Sequence, residues 1–105
     1  MVIHIALFAW KQDVAASVVD EALEEVRRLR DKVPGLVSIS CGTNVSRWNE
    51  GFTHGVVVIA ESFSALEAYR NHPDHMVVGK LIDSLEERSI GVDFEDQTRY
   101  SHALR

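Results

Sequence analysis

The feature that most constrains this chain is a strand that is apolar on both of its sides. Residues 2–10, VIHIALFAW, are rich in β-branched and aromatic side chains, and too short and uniformly apolar for a surface helix. Read at the two-residue period of a strand, Ile3, Ile5, Leu7 and Ala9 share one side. Val2, His4, Ala6, Phe8 and Trp10 share the other. Residues 52–61, FTHGVVVIAE, repeat the pattern, with Val57 and Ile59 opposite Val56, Val58 and Ala60. One layer of helices dries only one side of a sheet, so the second side of this one needs another cover.

The remaining chain supplies the helices. Over residues 14–33, Val18, Val19, Ala22, Leu23, Val26, Leu29 and Val33 recur at helical spacing, leaving Asp20, Glu21, Glu24, Arg27 and Arg28 for water. Pro34-Gly35 ends that helix. A strand over 36–45 follows, with Leu36 and Ser38 on one parity and Val37, Ile39 and Cys41 on the other. Residues 46–51 read as a polar loop before the strand over 52–61, and Ser64-Ala65-Leu66-Glu67 reads as a capping box that opens a helix reaching Asn71. Pro73 forces His72 out of helical conformation and then suits the first position of a new helix, whose stripe is Val77, Val78, Leu81, Ile82 and Leu85. A last strand covers 89–95, and residues 97–105 read as a polar tail after a single domain over 1–96.

The order is therefore βαββαβ, with the last helix split at Pro73. The expected class is α+β: a ferredoxin-like, four-stranded antiparallel sheet with its helices on one face. The simplest cover for the other face is the same sheet from a second copy, which predicts a homodimer.

Composition narrows the partners. A formal net charge of −5 argues against nucleic acid, because Arg27, Arg28, Arg30 and Lys32 alternate with acids along one helical stretch. No apolar run is long enough to span a bilayer, and a lone Cys41 suits a reducing compartment, so the expected location is the cytoplasm without membrane attachment.

The chemistry-bearing stretch is residues 69–79, YRNHPDHMVVG. His75 follows the proline within one helical turn, and Tyr69 precedes the break. A neutral imidazole suits proton removal α to a carbonyl, and a phenol can donate a hydrogen bond to the resulting oxyanion. His4, Ala6 and Phe8 share a strand side, as do His54 and Val56, so two imidazoles among apolar walls would suit a small, apolar, oxygenated ligand. Each residue also has a plain structural role open to it: His72 as a hydrogen-bonding group at the helix break, Tyr69 as core, His4 and His54 as satisfied strand histidines. His72, Asp74 and His75 lack the helical geometry and the further ligand that a zinc site needs. No metal and no cofactor is expected.

Taken in order, these residues resemble the stress-responsive A/B barrel (Dabb) domain family, a branch of the dimeric α+β barrel superfamily. The resemblance rests on His4, Val33-Pro34-Gly35, Gly42-Thr43-Asn44-Val45-Ser46, Phe52-Thr53-His54, Tyr69-Arg70-Asn71-His72-Pro73-Asp74-His75 and Val92-Asp93-Phe94. It implies a homodimer whose sheets pack as a barrel. It does not imply one activity, since members include stress-associated proteins and a polyketide cyclase. In that cyclase, by resemblance, His75 matches the general base, Tyr69 matches a substrate-positioning tyrosine, and His4 and His54 match histidines near the pocket. Two readings stay open: a cofactor-independent aldol-type cyclase or lyase, and a non-catalytic stress-associated or structural dimer. Cofactor-free monooxygenase and heme-handling roles, known elsewhere in the superfamily, rank behind these two, and nothing in this chain marks a heme ligand. A cavity among Phe8, Val56, Tyr69 and His75 would favour the enzyme, and a filled one the structural protein.

Overall fold

A computed structural model describes residues 1–98. The elements run β1 (Val2–Trp10), α1 (Ala16–Lys32), β2 (Leu36–Thr43), β3 (His54–Ala60), α2 (Phe63–Asn71), α3 (Pro73–Leu85) and β4 (Glu86–Glu95). The strands form one antiparallel sheet in the order β2-β3-β1-β4. This is the ferredoxin-like βαββαβ arrangement, with the helical layer split at Pro73. The expected tail over 97–105 lies, from residue 99 onward, outside the described residues. Among the described residues no helix is long and apolar enough to cross a membrane.

Register decides what each strand side does. Val2 pairs with Ala60, His4 with Val58, Ala6 with Val56 and Phe8 with His54, so these residues share one face. That face meets the chain's own helices. Val19, Ala22, Leu23, Val26 and Leu29 of α1, Leu66 and Tyr69 of α2 and Ile82 of α3 close over Val2, Val56, Val58 and Ala60 to form the core. The opposite face carries Ile3, Ile5, Leu7, Val57 and Ile59, continued on β4 by Ile90, Val92 and Phe94. Those last three are 51%, 51% and 42% exposed, so the open face is uncovered within one chain. His4 and His54 therefore lie beneath the helices of their own chain and do not face the seam that a second sheet would make.

Local expectations are corrected in three places. The cap of α2 is Ser62, whose hydroxyl accepts from the Ala65 amide at 3.1 Å; Ser64 lies inside the helix and bonds to Ser62 Oγ at 3.0 Å. In β2 the register shifts between Leu36 and Ser38, which turns Leu36 onto the core side with Ile39 and Cys41 and leaves Val37 39% exposed. On α3 the inward residues are Val78, Ile82 and Leu85, while Val77 is 70% exposed and Leu81 39%. A stripe drawn from spacing alone cannot see that this helix covers only part of the sheet.

The end of α1 follows the sequence closely. Val33 closes the helix through its amide to Leu29 O at 3.0 Å, and Pro34 cannot extend the ladder. Gly35 sits at φ 83°, and a Cβ there would stand 2.8 Å from Ala65 Cβ, so glycine is required both by conformation and by the approach of α2. Two arginines of α1 do more than face water. Arg27 Nη2 donates to Cys41 O at 3.1 Å and Arg30 Nε donates to Val37 O at 3.3 Å, covering carbonyls of β2, an edge strand.

Candidate functional site

The helix break builds the site. His72 is extended (φ −66°, ψ 136°) and serves both as the end of α2 and as the cap of α3, its Nδ1 accepting from the Asp74 amide at 3.1 Å. Pro73 occupies the first helical position, where its missing N–H costs nothing. This turn drops His75 one turn into α3, directly against Tyr69 at the end of α2. Their rings meet edge to face with centroids 4.4 Å apart. Tyr69 is 4% exposed, and burial pushes its phenol up to about 12, with the Cys41 thiol adding to the effect and Arg70 opposing it. It is a hydrogen-bond donor at all ordinary pH. Burial also pulls His75 below the usual histidine range; the Arg70 backbone opposes this, while the charges of His4 and Arg70 reinforce it.

Between these rings and the sheet lies a cavity of about 180 Å³. His4, Ala6, Phe8, Val56, Tyr69 and His75, all singled out from sequence, line it together with Val78, Gly79 and Ile82. His54 is not among its lining residues. It stands beyond Phe8, where Trp10 Nε1 donates to its Nδ1 at 2.9 Å and Thr53 Oγ1 lies 2.9 Å from the same atom. Phe8 stacks on Trp10 with centroids 5.2 Å apart, and the Trp10 ring meets that of His54 edge to face at 5.8 Å. A larger groove of about 520 Å³ runs along α1, but its walls are mostly surface charges of that helix.

His4 has a partner that sequence reasoning named only as part of a motif. Its Nδ1 lies 2.5 Å from Asp93 Oδ1, across the β1–β4 register, and Arg70 bonds the other oxygen of that carboxylate and Glu67. Burial alone would raise Asp93, but the hydrogen bonds from Arg70 and His4 outweigh it and hold the carboxyl below its usual range. With Asp93 ionised and accepting, Nδ1 of His4 is the donor in this bond. The strict alternation of Ser89, Gly91 and Asp93 with Ile90, Val92 and Phe94 was visible in the sequence. Which side met His4 was not, because that depends on pairing between residues about ninety positions apart.

The cavity wall at the α3–β4 junction was missed altogether. Asp83, Glu86 and Ser89 belong to the lining, as do Val26 and Leu29 of α1. Buried side-chain polar atoms without a hydrogen-bond partner are two among the described residues, His75 Nδ1 and Glu86 Oε2, and both residues line this cavity. Among the described residues no three His, Cys, Asp or Glu side chains converge as a metal site.

Comparison with known proteins agrees with this architecture. The olivetolic acid cyclase of Cannabis sativa is 26% identical over 93 residues, covering 87% of this chain and 92% of the cyclase. A hydroxynitrile lyase from Passiflora edulis superposes with a TM-score of 0.85 at 17% identity, covering 94% of this chain and 96% of the lyase, a likeness of fold. A dimeric ferredoxin-like protein of unknown function from Thermobifida fusca superposes with a TM-score of 0.78 at 25% identity, covering 89% and 88% of the two chains. Residues 2–96 match the family described as Stress responsive A/B Barrel Domain. This chain belongs to that family, Dabb.

Proposed function

We propose that this protein is a homodimer in which each chain holds a small organic molecule between its helices and sheet, and acts on it as a cofactor-independent aldol-type cyclase or lyase. One observation carries the reading: His75, whose Nδ1 is buried without a hydrogen-bond partner, packs against a phenol donor at the wall of a largely apolar cavity. In the reaction His75 takes the proton α to a carbonyl, and the electron pair left on carbon attacks a second carbonyl, forming the new C–C bond. Tyr69 donates a hydrogen bond to the oxygen on which negative charge develops, and the proton held by His75 returns to the product alkoxide. His4, fixed by Asp93, lies on the floor with Ala6, Phe8 and Val56. The family tie and the cyclase relative support this class of chemistry. Cavities of about 150 Å³ hold benzene, so a substrate of one ring or its open-chain equivalent fits the available space.

Pairing of the two open faces is supported by Ile90, Val92 and Phe94, by the description of solved relatives as dimeric, and by the uncovered apolar sheet itself. The half-buried free thiol of Cys41 suits the reducing cytoplasm. A second reading, a non-catalytic dimer that binds or stabilises, is favoured by the place of Tyr69 in the core.

The two readings separate on one substitution. Assayed on a panel of ring-sized β-ketones and β-hydroxyketones, His75→Ala is expected to lose turnover by roughly 10²–10⁴-fold while circular dichroism and sedimentation stay unchanged. Equal rates in wild type and variant end the catalytic reading. An absence of turnover in the wild type, with a lower melting temperature in the variant, supports the second.

A further inference from the structure

The acidic wall of the cavity has no role in the chemistry above. Glu86 is the residue at which α3 becomes β4; its amide closes α3 on Ile82 O, and its side chain turns back into the cavity lining beside Asp83 and Ser89. Oε2 is buried and unpartnered. Its lining neighbours include no Lys or Arg, and the nearby guanidinium of Arg70 is engaged by Asp93 and Glu67. An unpaired buried carboxyl oxygen is costly unless something supplies a hydrogen bond. Across the cavity His75 Nδ1 stands in the same condition.

We infer that Glu86, backed by Asp83 and Ser89, is the specificity wall of this site: it admits a neutral, ring-sized ligand whose polar group meets Glu86 Oε2, and it rejects a carboxylate of the same size. The inference rests on the cavity being the small-molecule site proposed above. Two acids without a cationic partner at one wall of the cavity repel an anion placed against them. An ammonium ligand is disfavoured for a different reason. It would lose its hydration among Ala6, Phe8, Val56 and Val78, which offer it no replacement hydrogen bonds. The ligand that satisfies both ends is uncharged, with one oxygen toward Tyr69 and His75 and a second hydrogen-bonding group toward Glu86.

Three probes of one size test this: acetophenone, benzoate and benzylamine, titrated near neutral pH by calorimetry or by amide shifts. Wild type is expected to bind acetophenone about tenfold or more tightly than either charged probe. In the Asp83→Asn/Glu86→Gln double variant the advantage over benzoate should shrink to about threefold or less. Glu86→Gln alone, which keeps the shape of the side chain, should move the ratio in the same direction if the double variant folds poorly. Benzoate or benzylamine matching acetophenone in wild type overturns the inference. So does a ratio indifferent to both substitutions, or no binding of acetophenone at millimolar concentration. The probe ratio reads binding alone. A ratio that collapses on charge removal while His75→Ala keeps full turnover sinks the catalytic reading and leaves this one standing.

Discussion

The two faces of this sheet are built from nearly the same side chains and do different things. The covered face packs Val2, Val56, Val58 and Ala60 under three helices, and interrupts that apolar field with His4, Asp93 and Glu86, each placed beside a cavity or an ion pair. The open face offers Ile3, Ile5, Leu7, Val57, Ile59, Ile90, Val92 and Phe94, with Ser38 and Ser40 at its β2 edge and no charged group among these residues. β4 makes the contrast sharpest. Its apolar residues point away from the chain's own helices, and its polar and small ones point beneath them. For a strand meant to be half-solvated this would be inside out. It is the right way round for a strand that presents one side to a second sheet and the other to a partly open site. A uniform apolar surface is suited to association; an apolar surface with a few fixed polar groups is suited to recognition.

The comparison breaks first at Ile5, at the centre of the open face between Val57 and Val92. In the proposed pairing, Ile5→Glu buries an uncompensated carboxylate, weakening the dimer on the order of a hundredfold or more. Sedimentation equilibrium should then find monomer or aggregate where wild type gives a dimer; an unchanged dimer would place the pairing surface elsewhere. The covered face is sharpened by pH. Because burial lowers His75, its neutral form persists below the ordinary histidine value of ~6.5. The acid limb of any His75-dependent rate should therefore fall at lower pH than that value, dropping about tenfold per unit beneath it. The sign for stability is the same. The contribution of a neutral His75 is complete above the unfolded value and is lost as pH falls through the lowered folded one. Thermal denaturation of wild type against His75→Gln across that window checks it, and parallel curves would refute it. The smallest effect concerns the helical layer that makes the faces unequal. Ser62→Ala should cost about 1 kcal/mol in chemical denaturation, against a few tenths for Ser64→Ala. A larger loss at Ser64 would restore the capping box read from sequence.

Much of this molecule was legible before any coordinates. Strand β1, the break at Pro73, the end of α1 at Pro34-Gly35 and the greasiness of both strand sides follow from residue types at fixed spacing. The cavity-lining set His4, Ala6, Phe8, Val56, Tyr69 and His75 was also within reach, since parity and one helical turn bring most of it together. What escaped has a common cause. His54 shares a face with Val56, but whether it reaches the cavity depends on Trp10, which takes its Nδ1. The Leu36 reversal depends on one extra residue in a ladder. Ser62 outranks Ser64 as a cap because the helix starts earlier than the capping-box pattern suggests.

By itself, then, the sequence determined the order of elements, the helix break and the need for a second cover, all of which arise from interactions spanning a few residues or from total apolar surface. Only the tertiary structure decided which side of the sheet each histidine shares with the helices, that Asp93 fastens His4, and that Glu86 turns into the cavity. Those outcomes depend on strand register and on side chains far apart in the chain. A shift of a single residue in that register would exchange the two faces while leaving every local pattern intact.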